Sequence, residues 1–168
     1  MTSKDITQIS VIAAILTILA VLKIPSIIPG LDFQLSAPAA LLILAFFGIK
    51  KYFLGGLLSS VLLLIFGVFN PINVIISIIF RVIAIAVVYL LKINVLSLVL
   101  SSVLGSLVSR LLLSIILNLP VWVVLLNAIP GVIFTLIVAI PLYRFFIFYG
   151  GKVKLPAFFN TQKAQLPL

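Results

Sequence analysis

Two arginines stand inside stretches that are otherwise apolar. Arg81 lies within IIFRVIAIAVVYLL, residues 78–91, and Arg110 within SLVLSSVLGSLVSRLLLS, residues 97–114. A charge at the centre of a bilayer costs at least about 2.5–3.5 kcal/mol, so intramembrane cations point to a ligand, a partner group or a wet cavity. Neither arginine is alone on its face. Asn73, Ser77 and Arg81 recur every four residues, as do Ser102, Ser106, Arg110 and Ser114, and Asn127, Gly131 and Thr135. Residues four apart stack along one side of a helix, so three helices each carry a polar stripe facing a bundle interior. The chemistry such stripes suit is binding. A guanidinium grips a carboxylate or another acceptor-rich group through a planar fork of donors. A second reading stays open: both guanidiniums bond to helix carbonyls or snorkel to the surface.

Polar residues next to turns extend the candidate pocket. Asp32, Phe33 and Gln34 follow a Pro-Gly turn; Asn70 and Asn73 flank Pro71; Asn118, Trp122 and Asn127 surround Pro120. Trp122 also suits an interfacial anchor, and asparagine at a helix end also suits a cap. The candidate ligand contacts are thus Asp32, Phe33, Gln34, Asn70, Asn73, Ser77, Arg81, Ser106, Arg110, Trp122 and Asn127. At 1.5 Å per residue, Arg81 falls about 13–15 Å from one end of its helix and Arg110 about 10–12 Å from the same membrane face. Arg110 is therefore expected at the ligand, and Arg81 deeper, at the cavity floor.

Other chemistries lack their residues. Cysteine and histidine are absent, and Asp5 and Asp32 are the only acids. This removes thiol nucleophiles, histidine-based triads and His/Cys metal sites, and leaves no paired carboxylates for acid–base work. No catalytic residue, metal site or cofactor is expected in this chain. The net charge is +9, yet the basic residues are spread over short turns rather than gathered in a phosphate-binding patch, so nucleic acid is not an expected partner.

The elements that must hold these residues are membrane helices. Of the 168 residues 65% are hydrophobic and only 8% charged, with a mean hydropathy of +1.52. Soluble chains run nearer to half apolar and a quarter charged, so the bilayer is the solvent. Proline, glycine and asparagine punctuation divides the chain into spans at residues 6–24, 35–49, 52–69, 72–91, 95–117 and 121–149, with a tail at 150–168. The expected fold is an all-α integral membrane protein, a single domain formed by a compact bundle of six transmembrane helices. The first apolar run reads as a retained span, since no small-residue cleavage site precedes Pro25. The last segment is too long for an upright span and carries Pro130-Gly131 and Pro141, so it is expected to kink, tilt or begin re-entrantly.

Orientation follows from charge. With both termini cytoplasmic, Lys4, Lys50, Lys51, Lys92, Arg144, Lys152, Lys154 and Lys163 fall inside and only Lys23 outside, as the positive-inside rule requires of a multi-pass cell-membrane protein. Small residues supply packing faces. Ser97, Ser101, Gly105 and Ser109 recur every four residues, and Gly55-Gly56 with Ser59-Ser60 mark the third span; both read as internal contacts. On the first helix Ser10, Ala13, Ala14 and Thr17 form a face that suits internal packing first and docking to another membrane protein second.

The stretch GLDFQLSAPAALLILAFFGIKKYFLGGLLSSVLLLIFG, residues 30–67, joins a loop to an F-x-L-S helix start, an FG-x-K-K turn and a Gly-rich helix. With six short-linked spans, the chain resembles the substrate-binding S components of energy-coupling factor (ECF) transporters. The resemblance implies a high-affinity, membrane-embedded binding subunit that captures a vitamin-like micronutrient at the outer face, with the first loop as a lid. It also implies a transmembrane coupling subunit and two ATPase subunits as partners. That family docks through an Ala-x-x-x-Ala pattern on the first helix; here the nearest matches are Ser10-x-x-x-Ala14 and Ala13-x-x-x-Thr17. No Walker motif occurs, so ATP would be hydrolysed by the partners. The alternative is a channel-like membrane protein or a stand-alone small-molecule transporter. The latter is disfavoured because proton coupling usually needs intramembrane carboxylates or histidines.

Overall fold

Helix caps written in the sequence set most of the element boundaries. The computed structural model describes residues 2–24 and 33–150. Helix α1, Ser3–Val21, starts at a capping box in which the Thr2 hydroxyl accepts from the Asp5 N–H and the Asp5 carboxylate accepts from the Thr2 N–H. Helix α3, Pro71–Leu91, starts at Asn70, whose side chain accepts from the Asn73 N–H at 2.8 Å, with Pro71 in the first turn where no N–H is needed. Helix α4, Val95–Leu117, starts at a second capping box between Asn94 and Ser97 and ends at Asn118, which takes the left-handed conformation at φ 50°. Between α1 and helix α2 the backbone forms one short antiparallel pairing of two-residue strands, β1 (Lys23–Ile24) and β2 (Phe33–Gln34), and the described residues are otherwise helical, as expected of an all-α bundle.

Helix α2, Ser36–Ile65, spans 30 residues and breaks at Gly48, whose φ of 80° and ψ of 171° interrupt the helix. Such a conformation is open to glycine because it has no Cβ. A straight helix of this length would reach about 45 Å. Instead Ser36 and Leu63, near its opposite ends, line one cavity, so the two arms at residues 36–47 and 49–65 fold back on each other at Gly48. The expected second and third spans are these two arms, with the boundary at Gly48 rather than at the Lys50-Lys51 pair. Five helices in the described residues are long and apolar enough to cross a membrane when α2 is counted once.

The last apolar segment also divides differently from the expectation. The helix stops at Leu126 and resumes at Ile129, giving a short α5, Val121–Leu126, and α6, Ile129–Gly150. Pro130 does not break α6, because it occupies the first turn, where a missing N–H costs nothing. Pro141 lies within α6.

Close helix approaches are made where glycine and serine leave room. A Cβ on Gly55 would come within 2.5 Å of Ile12 Cγ2, and the Thr17 hydroxyl of α1 donates to Ser59 Oγ at 3.1 Å. Helices α3 and α4 pack antiparallel: the Ser101 hydroxyl donates to the Ala84 carbonyl at 3.3 Å, and Gly105 sits against Phe80. The stripe Ser97, Ser101, Gly105 and Ser109 is buried as expected of internal packing. A core of Ile12, Leu16, Leu44, Tyr52, Ala84 and Val88 joins α1, both arms of α2 and α3. Helix α6 adds an aromatic contact between Tyr143 and Phe46, with ring centroids 5.7 Å apart.

Candidate functional site, a cationic cavity within the helix bundle

The polar stripes of α3, α4 and α6 converge on a cavity of about 430 Å³. That volume lies in the 300–1,000 Å³ range of small-molecule sites. It is lined by the C-terminal half of α1, the first turns of α2 with Tyr52, Ser59 and Leu63 of its second arm, the N-terminal half of α3, the C-terminal half of α4 and the first turns of α6. These are the parts of the helices nearest the β1–β2 pairing, the α2–α3 turn and the α4–α5 turn. Helix geometry explains the convergence: α3 and α4 run antiparallel, so stripes of period four on each face the same space.

Arg81 and Arg110 both line this cavity but are held differently. Arg81 Nη1 donates to Ser60 Oγ at 3.0 Å and to Ser77 Oγ at 2.9 Å. The two hydroxyls in turn donate to the carbonyls of Gly56 and Val74, leaving their lone pairs to the guanidinium. Arg81 lies against Gly56 so closely that a Cβ there would overlap Nε. Arg110 has no hydrogen bond or ion pair among the described residues, although it is more than half buried. The described lining contains hydroxyls and both guanidiniums but no acid; Asp5 lies at the opposite end of α1, 3.4 Å from Lys51. The arrangement can accept negative charge and hydrogen-bond acceptors, and nothing in the described lining competes for Arg110.

Of the expected contacts, Asn73, Ser77, Arg81, Ser106 and Arg110 come together on the cavity wall, as do Gly131 and Thr135 of the α6 stripe. Asn70, Trp122 and Asn127 do not line it. Asn70 is committed to capping α3, Trp122 is 67% exposed on α5, and Asn127 lies exposed at the end of that short helix. The helix break at Asn127 turns it away from the line of Gly131 and Thr135, which is why its place in the stripe misleads. The backbone of Phe33 and Gln34 pairs with that of Ile24 and Lys23. Asp32 and the tail at 151–168 lie outside the described residues.

Two residues that shape the cavity fall outside the expected set: Ser60, buried behind the wall, and Tyr52, on the wall itself. Ser60 reads from sequence as part of a packing face with Gly56, and it does pack, but its hydroxyl also holds Arg81. Tyr52 follows the Lys50-Lys51 pair and resembles an interfacial aromatic, yet it is completely buried at the deep end of the cavity. The spacing of Tyr52, Gly56 and Ser60 by four is the available signal. On α1 the small-residue face divides: Ala13 and Thr17 are buried against α2, whereas Ser10 and Ala14 are exposed.

Residues 6–146 match the family described as QueT transporter, which covers the helices that build the cavity. The chain belongs to the QueT transporter family. It is also 38% identical over 149 residues to Protein BioX of Lysinibacillus sphaericus, covering 89% of this chain and 90% of that protein. Membership of the QueT family makes this a membrane transport protein rather than an enzyme, and the resemblance to ECF substrate-binding components holds.

Proposed function

We propose that this chain is the high-affinity substrate-binding subunit of an ATP-driven uptake transporter, taking up a small, vitamin-like molecule that is anionic or rich in carbonyl groups. The observation that carries the proposal is Arg110: a guanidinium on the wall of a 430 Å³ cavity, with no partner among the described residues and no acid in the described lining. A buried unpaired cation is costly, and a carboxylate or carbonyl of the cargo offsets that cost through charge-assisted bonds. Arg81, already held by Ser60 and Ser77, supplies positive potential and one edge of the floor.

The proposed topology has six spans, with the arms of α2 crossing separately and α5–α6 crossing once. Both termini are cytoplasmic, which sets the cavity towards the outside and Lys50, Lys51, Lys92 and Arg144 within. The energy comes from a transmembrane coupling subunit with two ATPase subunits, because the chain carries neither a nucleotide-binding motif nor an intramembrane acid for proton coupling. Partner docking uses the exposed Ser10 and Ala14 side of α1.

Native mass spectrometry of the chain purified from cells grown in rich medium tests the proposal. The expected result is one small molecule retained per chain, carrying a carboxylate, phosphate or carbonyl group. A chain that is folded but free of any adduct, or that retains a cationic compound, contradicts it.

A further inference from the structure

Two buried polar atoms in the described residues have no hydrogen-bond partner, Tyr52 Oη and Arg81 Nε. Both belong to side chains on the wall of the same cavity. Leaving a buried donor unpaired is unfavourable, and native structures seldom tolerate it without a purpose. The two atoms have different surroundings. Arg81 Nε is closed off by Gly56, where even a Cβ would overlap it. Tyr52 has its Oη buried within electrostatic reach of the Arg81 guanidinium but makes no hydrogen bond to it. It sits one turn before Gly56 on the same arm of α2, packed among Leu44, Ala84 and Val88, so apolar side chains surround the ring while the hydroxyl is left unbonded. A phenylalanine would fill the same apolar niche without burying a hydroxyl. Apolar packing therefore does not account for the hydroxyl.

Resting on the binding reading above, we infer that the Tyr52 hydroxyl is a specificity-determining contact at the cavity floor, donating a hydrogen bond to a neutral acceptor such as a carbonyl oxygen on the inner end of the cargo. Arg110, nearer the C-terminal end of α4, holds the anionic end. The cargo then carries two acceptor groups, a charged one towards the mouth and a neutral one that enters first. Arg81 contributes at the floor as well: its Nη1 is occupied by Ser60 and Ser77, while Nη2 has no partner among the described residues. Two donors at one end and a free guanidinium at the other select a molecule with acceptors at both ends over one with a plain alkyl terminus.

Defined probes test this on the full chain in detergent: the half-amides of glutarate, adipate and suberate, each beside the unbranched alkanoate of the same carbon number. Binding is read by thermal shift and by competition for the compound that co-purifies. The wild-type chain should prefer the half-amide over its alkanoate at one length at least, by about tenfold, which is the worth of one hydrogen bond of about 1.4 kcal/mol. Tyr52→Phe should remove that preference while leaving the melting temperature of the empty protein unchanged or higher. Arg110→Gln should weaken half-amide and alkanoate alike. No preference at any length in the wild type, or a preference that survives Tyr52→Phe, overturns the inference. If the preference depends on Tyr52 but neither probe depends on Arg110, the floor site stands and the cationic-mouth reading fails.

Discussion

Arg110 and Arg81 carry the same charge on neighbouring helices, yet substitution should affect them differently. Arg110→Gln keeps donors and volume but removes the charge, so it should weaken binding of the co-purified compound by about 10- to 150-fold, the range given by a charge-assisted bond of about 1.5–3 kcal/mol. Arg110→Lys should recover part of the loss, since a point charge lacks the fork. Titration calorimetry on the two purified variants measures this, and unchanged affinity in Arg110→Gln would show the cation to be structural. Arg81 is tied into its surroundings through Ser60, Ser77 and the space over Gly56. Gly56→Ala drives a methyl into the guanidinium and should cost about 1–3 kcal/mol, the usual range for overpacking. Gly131→Ala meets nothing within 4 Å and should leave stability within about 0.5 kcal/mol. Thermal melts of the two variants should separate clearly. The stripes on α3 and α4 make Asn73, Ser77, Arg81, Ser106 and Arg110 legible in the sequence, because a period of four on a helix fixes a face. Tyr52 is only partly legible there: its spacing of four from Gly56 and Ser60 fixes a face, but a tyrosine after two lysines has the same appearance at an interface as at a cavity floor, and the fold-back at Gly48 decides.

Helix α1 presents its small residues to two environments, and the difference is testable element by element. Ala13 is 1% exposed against α2, whereas Ala14 is exposed with Val11, Ile15 and Ile18. Ala13→Trp should therefore destabilise the bundle and lose binding along with transport. Ala14→Trp should spare binding to the isolated chain and block uptake, because it holds off a coupling subunit without touching the cavity. Equal loss of binding in both variants would make the whole face internal packing. Sequence spacing alone does not separate these neighbours, since Ser10-x-x-x-Ala14 and Ala13-x-x-x-Thr17 follow the same pattern, and only the second is buried, with Thr17 bonded to Ser59. The caps at Thr2, Asn70 and Asn94 can be read directly, since each places a side-chain acceptor at the start of an apolar run. The break between α5 and α6 cannot. Proline at residue 130 signals a boundary but is equally at home in a helix's first turn, and the chain uses it that way.

Among the described residues, the acid–lysine cluster and the cavity sit at opposite ends of the bundle. Asp5, Gln8 and Lys51 join α1 to the second arm of α2 at one end, with Lys50 exposed beside them; the arginine-lined cavity lies towards the other. The proposed orientation puts the lysine end in the cytoplasm, so a cysteine at Lys50 should resist an impermeant thiol reagent in intact cells while one at Asn118 reacts. The inverse pattern would turn the molecule over. Orientation of this kind decides from which side cargo enters, but it does not decide what moves it. The most direct measurement is made in proteoliposomes containing this chain alone, or the chain with its coupling subunit and ATPases, loaded externally with the compound that co-purifies. A binding subunit should hold one molecule per chain and release none into the lumen until the partners and ATP are added. Accumulation or equilibration of the compound by the chain alone would contradict the account and make it a transporter in its own right.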